Sequence, residues 1–292
     1  MRYKAVHTTT YSYEEPVGQC LSETHLTPRS FPGQVVIDSK IEVQPRPAVV
    51  ESHRDYYGNE VSVFGVFETH SRFVVTSTSI VEMEPRPEIE LPKITCEEAR
   101  RELLLHPDPD SLAAYEFTFD SQYAAGSPEL EEYGARTLQP GRPLADAVIE
   151  LSTRIHKEFS YRPQSTSIDM PLEEVFKRRQ GVCQDFAHVM IGVLRSHRLA
   201  ARYVSGYLRS GAEYLGAEAS HAWISVYIPG YGWLDLDPTN NVLPKQGHVT
   251  VAWGRDYGDV TPVKGISLGG GGQAVDVAVR VQAVAADHGV PS

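Results

Sequence analysis

The spacing of apolar residues changes along this chain, and the change limits the folds open to it. Up to residue 84 the spacing is period two. Val35, Ile37, Ile41 and Val43 are read as one face of a strand, set against Asp38, Lys40 and Glu42. Tyr57-Gly58-Asn59 reads as a turn before a strand over 60–67, and 72–83 is rich in Val, Thr and Ile. Short strands parted by Gly, Pro and Asn clusters predict an antiparallel, sandwich-like β domain. From Pro143 the step becomes three and four: Leu144, Val148, Leu151, Ile155 and Phe159 predict an amphipathic helix. Pro171 suits the start of a second helix over 172–179, with Gly181 read as its stop. Phe186, Met190, Val193 and Leu194 give the buried face of a third, ending near His197. Strands are then read over 201–208, 221–228 and 232–237. The fold class is α+β, an antiparallel β domain ahead of a core whose helices pack on an antiparallel sheet.

Punctuation sets the expected boundaries. Pro85, Pro87 and Pro92 end the β region, and Thr95-Cys96-Glu97-Glu98 has the form of a capping box. The stretch 106–140 is irregular, with short helices at best. The chain is thus divided into a β domain (1–84), a connector (85–142), a core (143–256) and a C-terminal loop and strand (257–292). In that last part Gly269 to Gly272 read as a loop before the alternating Val275, Val277, Val279 and Val281. The run lacks the spacing of a phosphate cradle.

Charge and cysteine usage exclude several roles. A net charge of −11 offers no basic surplus for nucleic acid. No apolar leader and no apolar run of membrane length is present, so a membrane partner is not expected. The cysteines, Cys20, Cys96 and Cys183, are widely spaced and odd in number. That pattern argues against a disulfide framework, makes a reducing cytoplasm the expected location, and leaves room for a reactive thiol.

Cys183 follows Gly181-Val182, and helical periodicity resumes just after it. It therefore falls in the first turn of a helix, where unpaired N–H groups and the helix dipole favour an anion. A lone cysteine is more often a small packed residue, so the reading needs a base and an orienting group. His221 opens one strand, Pro229-Gly230-Tyr231-Gly232 turns the chain, and Asp237 closes the returning strand before Pro238. The two share one end of a hairpin. A two-residue loop would put them on opposite faces, so an odd loop or a bulge is expected. Asp235 shares the face of Asp237 and is the rival carboxylate, deeper in the hairpin. His188 reads as a packed or exposed helix residue. Arg255, Asp256, Tyr257 and Asp259 read as a structural salt-bridge group.

Four blocks then resemble the transglutaminase core, in the family order. They are Gly181-Val-Cys-Gln-Asp-Phe-Ala, then Leu194-Arg195 through Ala201-Arg-Tyr-Val-Ser-Gly206-Tyr207, then His221-Ala-Trp-Ile, then Gly232-Trp-Leu-Asp-Leu-Asp237-Pro-Thr239. Together they cover about 145–241. Thr10-Tyr11-Ser-Tyr13 and Leu26-Thr-Pro28-Arg29 resemble the N-terminal β domain of bacterial transglutaminase-like proteins, and Gly254-Arg255-Asp256-Tyr257-Gly-Asp259-Val260 the segment after their core.

The resemblance implies a papain-like core with Cys183 as nucleophile, His221 as base and Asp237 as orienter. It also implies an aromatic oxyanion donor, for which Tyr161 is the candidate beside the Cys183 backbone N–H. Trp223 and Trp233 read as packing in the sheet, with a wall of a substrate cleft as the alternative role for either. No metal and no cofactor are expected. The implied partner is a peptide or protein amide substrate, with the oligomeric state left open. The expected reaction is acyl transfer through a thioester, with hydrolysis as in a protease or amidase placed first. Transfer to an amine, as in a protein-glutamine transglutaminase, and a non-catalytic peptide- or protein-binding module are the alternatives.

Overall fold

The computed structural model describes residues 1–85, 90–163, 170–211 and 214–285; Pro87 and residues 286–292 lie outside them. The chain opens with strands β1 (Arg2–Thr24), β2 (Gln34–Gln44), β3 (Val49–Arg54), β4 (Glu60–Val66) and β5 (His70–Met83). Helices α1 (Cys96–Leu105), α2 (Pro109–Tyr115), α3 (Pro128–Ala135) and α4 (Leu144–Glu158) follow. The short strand β6 (Ser160–Tyr161), helix α5 (Leu172–Arg178), short strand β7 (Gln180–Gly181) and helix α6 (Cys183–Ser196) lead into the second sheet. That sheet holds β8 (Ala201–Leu208), β9 (His221–Ile228), β10 (Gly232–Leu236) and β11 (His248–Gly254). Strands β12 (Val263–Gly269) and β13 (Gln273–Val284) end the described chain.

The first sheet runs β2-β5-β1-β4-β3, with β12 and β13 on the other side of β1. Residues 24 to 17 of β1 pair with β12 and residues 13 to 2 pair with β13, so the two strands form one broken edge alongside it. The glycine run is the break. Gly269, Gly270 and Gly271 all take positive φ, and a β-carbon on Gly269 would sit 2.8 Å from the Pro16 carbonyl. The segment read as a loop and one strand thus contributes two strands to the first sheet.

The one-face reading of β2 needs correction. The register shifts between Val36 and Asp38, so a bulge reverses the alternation. Ile41 and Val43 pack against the core cluster of Phe73 and Val75, whereas Val35 and Ile37 point outward and are exposed.

The second sheet has the order β10-β9-β8-β11. The inward stripe of α6, with Phe186, Met190, Val193 and Leu194, packs with Leu151 and Ile155 of α4 onto Tyr203, Ile224, Val226 and Leu234. All eight residues of β9 are buried. Arg195 ties this core to the connector: its buried guanidinium donates to the Phe117, Ala124, Ala201 and Arg255 carbonyls and to the Ser121 hydroxyl. The Thr95–Glu98 capping box opens α1 as expected. Among the described residues no helix is long and apolar enough to cross a membrane.

Candidate active site

Three local features place Cys183. Helix α5 ends on Arg179, left-handed at φ 52, and not at Gly181. Gly181 serves in another way, since a β-carbon there would lie 2.5 Å from Asp185 Oδ2. With that space open, the Asp185 carboxylate accepts the Val182 N–H at 2.7 Å and caps α6. Cys183 becomes the first residue of α6, with its own N–H left without an intrahelical partner. Strand β6 runs parallel to β7, pairing Tyr161 with Gly181, two residues before the thiol.

The hairpin settles the register. Three residues, Pro229 to Tyr231, join β9 to β10. Gly232 pairs with Ile228 and Leu236 with Ile224 without a shift. This is the odd loop that the shared face required. His221 Nε2 lies 2.8 Å from Asp237 Oδ2. The rival Asp235 instead accepts the Ser225 hydroxyl.

Asp237 is completely buried and collects five donors. Its Oδ2 takes His221 Nε2 at 2.8 Å, Asn240 Nδ2 at 2.8 Å and His248 Nε2 at 3.1 Å. Its Oδ1 takes the Thr239 and Asn240 backbone N–H groups at 3.0 and 3.1 Å. Burial alone would raise the carboxyl pKa, but the His221 charge and the histidine hydrogen bonds hold it far below the usual range. The imidazole of His221 shows the converse. Burial pushes it down, and the Asp237 and Cys183 side chains outweigh that and bring it up to about 10. Its Nδ1 is buried and makes no hydrogen bond of ordinary geometry, which leaves it as the nitrogen on offer to the neighbouring thiol. Cys183 is 9% exposed and His221 1%.

A backbone segment, 214–220, lies over these groups. A β-carbon on Gly216 would sit 3.0 Å from His221 Nδ1 and 3.5 Å from the Tyr161 hydroxyl. Tyr161 is raised to about 12 by burial and by Cys183, so its hydroxyl stays protonated and able to donate.

The other candidates fall elsewhere. Trp223 is fully buried, stacked on His221 with centroids 6.2 Å apart and edge-on to His248 at 5.3 Å, so it backs the histidines and walls no open cleft. Trp233 packs on Phe117 and under Arg202, and faces a cavity of about 850 Å³ to which Cys183 does not contribute. His188 is buried, accepts the Tyr257 N–H and stacks on Tyr123. Arg255 and Asp259 form a two-point salt bridge.

Sequence reasoning passed over His248, Asn240 and Gly216. The β-branched run Val249-Thr250-Val251 after His248 was the signal for β11. Its place beside β8 is what brings His248 to Asp237. His221, Asp237 and His248 offer ligand atoms within 4.8 Å of one another. Two Nε2–Oδ2 hydrogen bonds already link the three side chains.

Comparison with known proteins agrees with this layout. Residues 3–82 match the bacterial transglutaminase-like N-terminal region, and residues 131–238 match the transglutaminase-like superfamily. A Mycobacterium tuberculosis protein is 40% identical over 277 residues, spanning 91% of this chain and 87% of that protein. A Mycobacterium leprae protein is 33% identical over 290 residues, spanning 97% and 99%. The protein-glutamine gamma-glutamyltransferase of Pseudomonas aeruginosa is 35% identical over 99 residues, 31% of this chain and 15% of that one. Among solved structures, a "putative cysteine protease" from Cytophaga hutchinsonii shares the fold, with TM-score 0.76, 23% identity, and 98% of this chain and 92% of that one covered. The chain belongs to the transglutaminase-like superfamily, with a bacterial transglutaminase-like N-terminal region ahead of its core.

Proposed function

We propose that this protein is a cysteine-dependent acyl-transfer enzyme acting on amide bonds, with Cys183, His221 and Asp237 as its triad. The observation that carries the reading is the buried imidazole of His221. Nε2 is bound to Asp237, and Nδ1 is free of other partners beside a helix-start thiol. In this mechanism the Cys183 thiolate attacks the acyl carbon. The Cys183 N–H and the Tyr161 hydroxyl are the donors available to the oxyanion. Collapse forms the thioester and expels the amine, which takes its proton from His221 Nδ1. The imidazole then deprotonates the acceptor, whose attack releases the acyl group and restores the thiol.

Hydrolysis is the outcome we place first. With Gly216 over His221 and Cys183 only 9% exposed, water meets the thioester more easily than a protein-borne amine does. The glutamyltransferase relative supports amine transfer as the second reading. Iodoacetamide tests the nucleophile. Cys183, at the helix start beside His221, is expected to alkylate faster than the other two thiols. Cys20 and Cys96, whose pKa values burial raises, are expected to lag. Equal, slow rates at all three would favour a binding module instead. Trapped acyl-enzyme from glutamine- and amide-bearing peptides, with and without added amine, then separates hydrolysis from transfer.

A further inference from the structure

We infer that Asn240 is a positioning residue that couples closure of the 214–220 segment to alignment of the Asp237–His221 pair, an inference that rests on the triad reading above. The side-chain amide of Asn240 faces two ways. Its Nδ2 donates to Asp237 Oδ2 at 2.8 Å, and its Oδ1 accepts the Leu215 backbone N–H at 2.8 Å. The orientation is forced, because the carboxylate needs a donor and the N–H needs an acceptor. Leu215 directly precedes Gly216, whose positive φ of 85° lets the segment lie against His221 Nδ1 and the Tyr161 hydroxyl. The same segment touches the carboxylate cage a second time, through the Tyr214 ring set edge-on to His248 at 5.4 Å.

The consequence is mechanical. While the segment is down, the Leu215 N–H fixes the amide so that its NH2 group points at Asp237. When the segment lifts to admit an acyl group, the amide loses the partner that held it. It is then free to swing away from the carboxylate, which costs Asp237 one of three donors on Oδ2. The grip on His221 is therefore complete only when the segment has closed over the bound acyl group. The titratable groups around the amide and the imidazole it serves are Asp237, His221, His248, Tyr214, Cys183 and Tyr161.

Two substitutions cut the link on opposite sides. Asn240→Asp keeps an acceptor for the Leu215 N–H and loses the donor to Asp237. Leu215→Pro removes the N–H and leaves Asn240 intact, at the position before a positive-φ glycine where proline suits a turn. The probe is p-nitrophenyl acetate, whose burst reports acylation of Cys183 and whose steady state reports deacylation by His221.

Each variant is expected to lose about tenfold in deacylation, the scale of one hydrogen bond to a charged group. The double variant is expected to lose no more than the worse single, because both cut one link. Asn240→Asp is also expected to move the acid limb of the deacylation profile to higher pH, since an added negative charge favours the imidazolium. Leu215→Pro leaves that limb in place. Wild-type deacylation in either variant, or losses that multiply in the double, would overturn the coupling. A lower melting temperature with an unchanged rate and profile would also overturn it, as the mark of a structural residue. Should Leu215→Pro fail to fold, the near-isosteric Asn240→Asp still decides through its rate and its limb. A wild type without a burst would sink the triad reading itself; a wild-type burst with unaffected variants would sink only the coupling.

Discussion

The two sheets of this protein are covered differently. In the sheet of β8 to β11 every residue of β9 is buried: Ile224 and Val226 share a cluster with α6, and Tyr227, alternating to the other face, packs with Leu103 and Phe117 of the connector. In the first sheet β3 is exposed throughout, and β12 shows Ile266 and Leu268 to solvent at 72% and 64%. The histidine and aspartate of the proposed triad sit on β9 and at the end of its hairpin, where packing comes from both sides. A base within hydrogen-bond reach of its orienter tolerates little drift, and a doubly packed strand is the part of the molecule that supplies such rigidity.

The contrast is open to breakage at four levels. Asp237→Asn exchanges an anionic acceptor for an amide within the five-donor cage and removes the charge that favours the His221 imidazolium. Acyl transfer is expected to fall on the order of a thousandfold to ten-thousandfold with the fold retained, as read by steady-state rates and circular dichroism. A loss of only a few fold would show that the cage is structural. Arg195→Met removes the donor from four carbonyls, three of them buried, at the junction of core and connector. It is expected to cost about 3 kcal/mol in urea denaturation.

Acid is expected to act on both regions through buried histidines. His7 in β1 and His188 in α6 are held neutral by burial, down to about 4 from an ordinary 6.5. Between those values the unfolded chain binds protons that the folded chain refuses, so stability falls as pH drops through that window. Denaturant midpoints across it are expected to decline, and His188→Gln to flatten the decline. At the small end, Ile266→Ser on the exposed face of β12 is expected to shift stability by no more than about 0.5 kcal/mol. A larger loss would mean that this face is covered in solution.

Legibility follows the same division. The path of α6, the hairpin and the parity of its loop are readable because burial on that side imposes strict periodicity and turn chemistry. The cage around Asp237 is not. His248 arrives on β11, which joins the sheet beside β8, at the opposite edge from β10, and no local pattern encodes that pairing. In β2 a bulge reverses the faces, because alternation read through Val35 to Val43 assumes an unbroken register. Gly181 suggests conformational freedom at a helix end, whereas its lack of a side chain is what matters. Trp223 and Trp233, read first as sheet packing and second as substrate walls, show another limit. Aromatic residues beside the His221 strand suit a substrate wall and a packed sheet equally well, and only the tertiary structure buries Trp223 and packs Trp233 on Phe117.

The position of β1 also has a bearing on how the molecule is made. Its edge is closed by residues 263–284, which emerge from the ribosome after everything from α4 to β11. The core can assemble during synthesis, while β1 waits with one row of backbone groups bare. A nascent chain stalled or cleaved before β12 would carry that open edge into the cell as a template for aggregation.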